Sequence, residues 1–107
     1  MAKSEAEFSR RAFEEIEILG RGEVVSYGEI ARRAGSSKAA QSVGNVLHAK
    51  EDKLPWWRVV YADGSLVEGR EAEHEEFLQR EDVPVSPRNR VPSASFVKPP
   101  RRPAEVD

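Results

Sequence analysis

Two short helical patterns separated by a glycine-serine turn constrain this chain more than anything else in it. Ser26-Tyr27-Gly28-Glu29 has capping-box form: Ser26 is placed to cap a helix, and Glu29 is placed to reach back to it. Tyr27, Ile30, Ala31 and Ala34 then share one face, and Gly35 ends the helix. Ser36-Ser37 restart the chain, with Ser37 as N-cap of a helix over about 38–48. On that second helix Ala39, Val43, Val46 and Leu47 form a core stripe. Ser37, Gln41, Gly44, Asn45 and His48 lie off the stripe and are small or polar. The pair has helix-turn-helix form, although helical hairpins of other kinds share the pattern. Small side chains on the exposed face would let the helix backbone approach a groove closely.

The flanks read as follows. Residues 5–19 form a helix with Phe8, Ala12, Phe13, Ile16 and Leu19 at helical spacing, ended by Gly20 and Gly22. Glu23-Val24-Val25 is a short extended connection, and residues 49–54 are a charged loop. Trp57 to Tyr61 has strand character, and Ala62-Asp63-Gly64 turns the chain back along Ser65-Leu66-Val67 as a β-hairpin. Glu68-Gly69-Arg70 is a loop before a last helix, Glu71 to about Arg80, with His74, Phe77 and Leu78 facing inward. Six of the seven prolines fall in residues 84–107, which predicts an extended or disordered Pro/Arg-rich tail.

Composition excludes several classes. At 107 residues the chain supports one small domain, and 38% hydrophobic residues give it a modest core. With no cysteine there is no disulfide framework and no thiolate metal site, which fits a reducing cytoplasm. Two isolated histidines argue against a zinc site, so no metal and no cofactor are expected. No apolar run approaches ~20 residues, and the charged start shows no signal peptide, so no membrane is expected. A net charge of −2 hides an uneven distribution. Arg32, Arg33, Lys38 and Lys50 lie in an acid-free stretch, residues 30–50. That stretch is either a solvated face or a local phosphate-binding stripe.

Several motifs, in order, carry a family resemblance. Gly22-Glu23-Val24-Val25-Ser26-Tyr27-Gly28-Glu29-Ile30-Ala31 comes first, then Lys38-Ala39-Ala40, then Val43-Gly44, then Pro55-Trp56-Trp57-Arg58-Val59-Val60. Over about residues 8–80 this resembles the O6-alkylguanine-DNA alkyltransferases. Their active-site motif is Pro-Cys-His-Arg-Val, and here both reactive positions are Trp. Because a thiolate is what makes such a cysteine reactive, the chain is most similar to the alkyltransferase-like proteins, which keep the DNA-binding domain without the nucleophile. The implied fold is mainly α with a short β-hairpin: a winged-helix-like helix-turn-helix DNA-binding domain of the alkyltransferase C-terminal type over 1–83, then the tail over 84–107.

The resemblance implies a function and a site. The second helix docks in the minor groove, and the alkylated guanine is rotated out of the duplex into a pocket. The implied lesion pocket is Tyr27, Pro55, Trp56, Trp57, Arg58 and Arg70. The implied DNA contacts are Ser26, Tyr27, Ser37, Lys38, Ala40, Gln41, Gly44, Asn45 and His48. The implied partners are duplex DNA carrying O6-alkylguanine and nucleotide excision repair proteins. The expected protein is a monomer of the cytoplasm, nucleoid-associated when on DNA. One departure matters: where the family inserts an arginine into the base stack, this chain has Gln41, which lacks the planar charge and predicts weaker binding. The loop before Pro55 is also shorter than in the enzymes.

Other readings compete. Trp56 and Tyr27 are also what a plain core would use, and Gln41 is also what a solvent-facing helix position would use. A helix-turn-helix transcription regulator on the same scaffold is the alternative function. A glycosylase or dealkylase using Asp63 or Glu68 is a third, but no paired carboxylates stand at helical or motif spacing, and neither His48 nor His74 is paired with a nucleophile. The sequence therefore predicts no catalytic residue.

Overall fold

The structure is a computed structural model that describes residues 5–36, 38–92 and 95–96. In chain order the elements are α1 (Glu5–Glu17), β1 (Val25–Ser26), α2 (Tyr27–Arg33), α3 (Ala40–Ala49), a single 3-10 turn (Trp56–Arg58), β2 (Val59–Val60) and α4 (Glu71–Arg80). The mainly helical architecture expected from the sequence is the one observed.

Helices α1, α2 and α3 enclose the larger of two apolar clusters. Phe8, Ala12 and Ile16 bury one stripe of α1 at intervals of four, and Leu19 continues it past the helix end. α1 stops at Glu17, two residues short of the expected Leu19, where the Leu19 N–H bonds to the Ile16 carbonyl in a tighter turn. Ser26 caps α2 as its sequence requires, its Oγ accepting the Glu29 N–H at 3.0 Å. Glu29 does not reach back. Its carboxylate takes Arg32 at 2.6 Å and Arg33 at 2.9 Å, so one half of the capping box forms. α3 begins at Ala40, two residues later than expected, and its N-cap Ala39 has no side chain to offer. The expected cap, Ser37, lies outside the described residues.

The sheet differs from expectation. Only Val59 and Val60 form β2, and they pair in parallel with β1: Val25 opposite Val59, Ser26 opposite Val60. The predicted hairpin turn exists, with the Gly64 N–H on the Tyr61 carbonyl at 2.8 Å and the Tyr61 N–H on the Ser65 carbonyl at 3.0 Å. The returning segment, however, pairs with residues 89–91: Ser65 bridges Arg90 in antiparallel fashion, and the Val91 N–H bonds to the Gly64 carbonyl at 2.8 Å. Gly64 has φ +89°, and a Cβ there would collide with the Val91 carbonyl. Pattern within a segment shows that it is extended but not which distant edge it meets.

Val83 and Val91 are buried with Val24, Val60, Leu66 and Leu78 in a second cluster, against which Val85 and Phe96 pack. Residues 84–92 lack helix and strand, as their prolines suggest, and Val85 and Val91 pack on this cluster. The expectation for 97–107 lies outside the described residues. Successive residues of an extended segment face opposite ways, so Val25 and Val59 join the first cluster while Val60 and Val24, just before β1, join the second.

Candidate nucleic-acid interface

The pocket is built around Trp56. The 3-10 turn places this ring 6% exposed, with one side in the first cluster and the other forming a wall of a cavity of about 110 Å³. Tyr27 from α2, Gly44, Leu47 and His48 from α3, and Glu51, Val67 and Arg70 from the loops complete the lining. Trp56 therefore satisfies both readings its sequence allowed: it is core, and it lines a cavity.

Arg70 covers Trp56. Its guanidinium carbon lies 4.2 Å from the centre of the indole, in cation–π range. The fork is held from two sides: Glu51 accepts from Nη1 at 2.9 Å and Nη2 at 3.3 Å, and Glu73 accepts from Nε at 3.0 Å. These two carboxylates hold the guanidinium charged, above its ordinary range.

Beneath Trp56 lies His74, fully buried, its ring 4.9 Å from the indole. Nδ1 accepts the Val67 N–H at 3.1 Å, which leaves the proton on Nε2 to be donated to the Trp57 carbonyl at 2.9 Å. One neutral ring thus ties the pocket loop to the Trp-bearing turn. Burial pushes its pKa down, and the Trp57 carbonyl opposes that only in part.

Tyr27 stands at the cavity edge, 9% exposed, its ring 4.9 Å from Tyr61. Burial, then Tyr61, push its hydroxyl up to about 12 against the pull of Arg70, so at neutral pH it is a phenol able to donate. A second concavity, about 370 Å³, runs from Tyr27 and Tyr61 along Ala40, Gln41, Gly44 and Asn45. It shares Tyr27 and Gly44 with the pocket, so the exposed side of α3 leads directly to it.

The predicted site residues divide accordingly. Tyr27, Trp56 and Arg70 meet in the pocket, and His48, expected on the DNA face, lines it too. Ala40, Gln41, Gly44 and Asn45 line the groove. Lys38 is exposed in the turn, and Ser26 spends its hydroxyl on the cap. Pro55, Trp57 and Arg58 are not among the lining residues of this cavity. The 3-10 turn sends Trp57 away from Trp56, their planes 85° apart, to stack on Phe77 at 4.5 Å. The Trp57 indole N–H donates to Glu81 at 2.8 Å, and Arg58 binds Glu81 at 2.6 Å and the Leu19 carbonyl at 2.7 Å. These two residues lock the turn from behind. Sequence reasoning missed Glu51, Val67 and Tyr61, for which no motif existed, and read Leu47 as core alone. Among the described residues no three of His, Cys, Asp or Glu gather to hold a metal, and no helix is long and apolar enough to cross a membrane.

Known proteins are similar to this chain in sequence and in fold. A Vibrio parahaemolyticus DNA base-flipping protein is 34% identical over 84 residues, covering 75% of this chain and 84% of its own. An Escherichia coli protein of the same name is 36% identical over 66 residues, 60% of this chain; the match spans 51%, about half, of the relative's length. In fold, S. pombe Atl1, solved with damaged DNA containing O6-carboxymethylguanine, superposes with a TM-score of 0.79 at 24% identity, covering 92% of this chain and all of that one. A Mycobacterium tuberculosis O6-methylguanine methyltransferase variant superposes at 0.59 with 28% identity, over 80% of this chain and 51% of that one. Residues 7–83 match the DNA-binding domain of 6-O-methylguanine DNA methyltransferase, and the chain belongs to that family.

Proposed function

We propose that this chain senses O6-alkylguanine in duplex DNA without removing the alkyl group. The observation that carries the reading is Trp56: the family's nucleophile position is a pocket-lining indole in a chain that contains no cysteine. An indole cannot accept an alkyl group by displacement as a thiolate does. The similarity to proteins named for DNA base flipping supports the same reading.

The geometry suggests how it works. α3 docks in the minor groove through Ala40, Gln41, Gly44 and Asn45, and Gln41 fills the gap left by the extruded base. Tyr27, at the junction of groove and pocket, presses on the backbone of the rotated nucleotide. Extrusion costs a few kcal/mol, less for a mispaired base. Stacking on an aromatic ring returns about 1–3 kcal/mol per base. That balance favours a lesion over an ordinary base pair. In this reading the protein acts as a monomer on cytoplasmic, nucleoid-associated DNA, and the persistent complex brings in nucleotide excision repair.

The test is a binding titration at matched salt of two duplexes differing only in O6-methylguanine versus guanine, with the parent chain and Trp56→Ala. The modified duplex binds tighter, and Trp56→Ala weakens that complex by about 5- to 100-fold while leaving the unmodified one nearly unchanged. Equal affinity for both duplexes overturns the proposal, and sequence-selective binding to undamaged DNA would favour a transcription regulator. An alkylated protein or a repaired base after incubation returns the chain to the enzymes.

A further inference from the structure

Arg70 covers the face of Trp56 at the cavity. Its guanidinium carbon sits 4.2 Å from the centre of the Trp56 ring, and both edges of its fork are engaged by carboxylates. The two carboxylates are not equivalent. Glu73 belongs to the first turn of α4, three residues from Arg70, and moves with it. Glu51 follows α3, on the opposite bank of the pocket, 19 residues away in sequence. The Glu51–Arg70 pair is therefore the bond that spans the pocket and has to break when a ring slides onto the indole.

We infer that Glu51 latches Arg70 over Trp56 in the free protein, so that an extruded base has to open this pair before it stacks on the indole. The inference rests on the sensor reading above and adds a control to it. An ordinary base pair stays stacked and never meets the latch. A flipped base must displace it, and offers Arg70 a π face or an acceptor atom in exchange for Glu51. Both partners of the pair are about one-third exposed, at 34% and 39%, so the latch is weak enough to open.

Glu51→Gln removes the charge and keeps the shape. It tightens binding to the O6-methylguanine duplex by about two- to fivefold and leaves the unmodified duplex unchanged. An equal gain on both duplexes overturns the latch, because it reports only reduced repulsion of phosphate. An unchanged or weakened affinity for the modified duplex overturns it as well. A second measurement needs no DNA. In a Trp57→Phe background Trp56 is the sole indole, and Glu51→Gln should raise its quenching by acrylamide as Arg70 lifts away. If the parent fails to distinguish the duplexes, the sensor reading fails, and quenching alone decides the latch: no increase overturns it. Glu73→Gln repeats both arms and should give a smaller effect, because Glu73 travels with Arg70.

Discussion

The two nitrogens of His74 have different partners, and that difference sets a pH dependence. The folded protein needs the ring neutral: Nδ1 must accept from Val67 while Nε2 donates to Trp57. Its pKa is lowered by burial, so the unfolded chain binds the proton more readily than the folded one. The stability that follows is fully present above the ordinary histidine value near ~6.5 and is lost as pH falls below it. The melting temperature of the parent should drop between pH 7.5 and 5.5, and His74→Gln should start lower but change less over that interval. Parallel curves for the two proteins would remove His74 as the source. At Gln41 the expectation concerns DNA. Gln41→Arg restores a planar cation on the groove wall and should tighten binding to both duplexes, by about tenfold for one charged contact; no gain would mean that this position does not enter the stack. Trp56, Tyr27 and Arg70 were legible in the sequence because a motif named their positions. Glu51 was not, because its place in the pocket depends on where a loop of six residues crosses the end of α3.

Between elements, Glu81 is the joint that matters most. Just past α4, it binds Arg58 and Trp57 of the 3-10 turn and the Gly22 N–H of the loop before β1. The Arg58–Glu81 pair is largely buried, with side-chain exposures of 16% and 8%. Burial alone would raise the carboxyl pKa, but Arg58, the Gly22 N–H and the Trp57 indole outweigh it and hold Glu81 below the usual range. Its contribution is therefore present above the ordinary glutamate value and disappears as pH falls through the lower, folded one. Glu81→Ala leaves Arg58 without its partner and should cost on the order of 3 kcal/mol, read as a shifted urea midpoint. A loss below about 1 kcal/mol would show that water replaces the carboxylate freely. Helices were legible from apolar spacing because their partners lie three or four residues away. The parallel pairing of β1 with β2 was not, since nothing in Val59-Val60 distinguishes a partner at residue 25 from one at residue 66.

For the molecule as a whole, the stretch after α4 decides where the fold ends. Proline content marked 84–107 as a tail, and it concealed Val91, 2% exposed beneath the Gly64 turn. A chain ending at Val83 should lose at least about 1.5–3 kcal/mol for Val91 alone, since a buried valine returns to water. Thermal unfolding measures it, and an unchanged midpoint would place the boundary at 83. The two-rung parallel strip has a further mechanical meaning. Ser26 is both a rung of that strip and the cap of α2, while Val59 follows directly on the turn that carries Trp56. No compliant loop separates them. A rotation of α2 therefore passes across two rungs to the turn that carries the indole, so helix and ring swing as one lever.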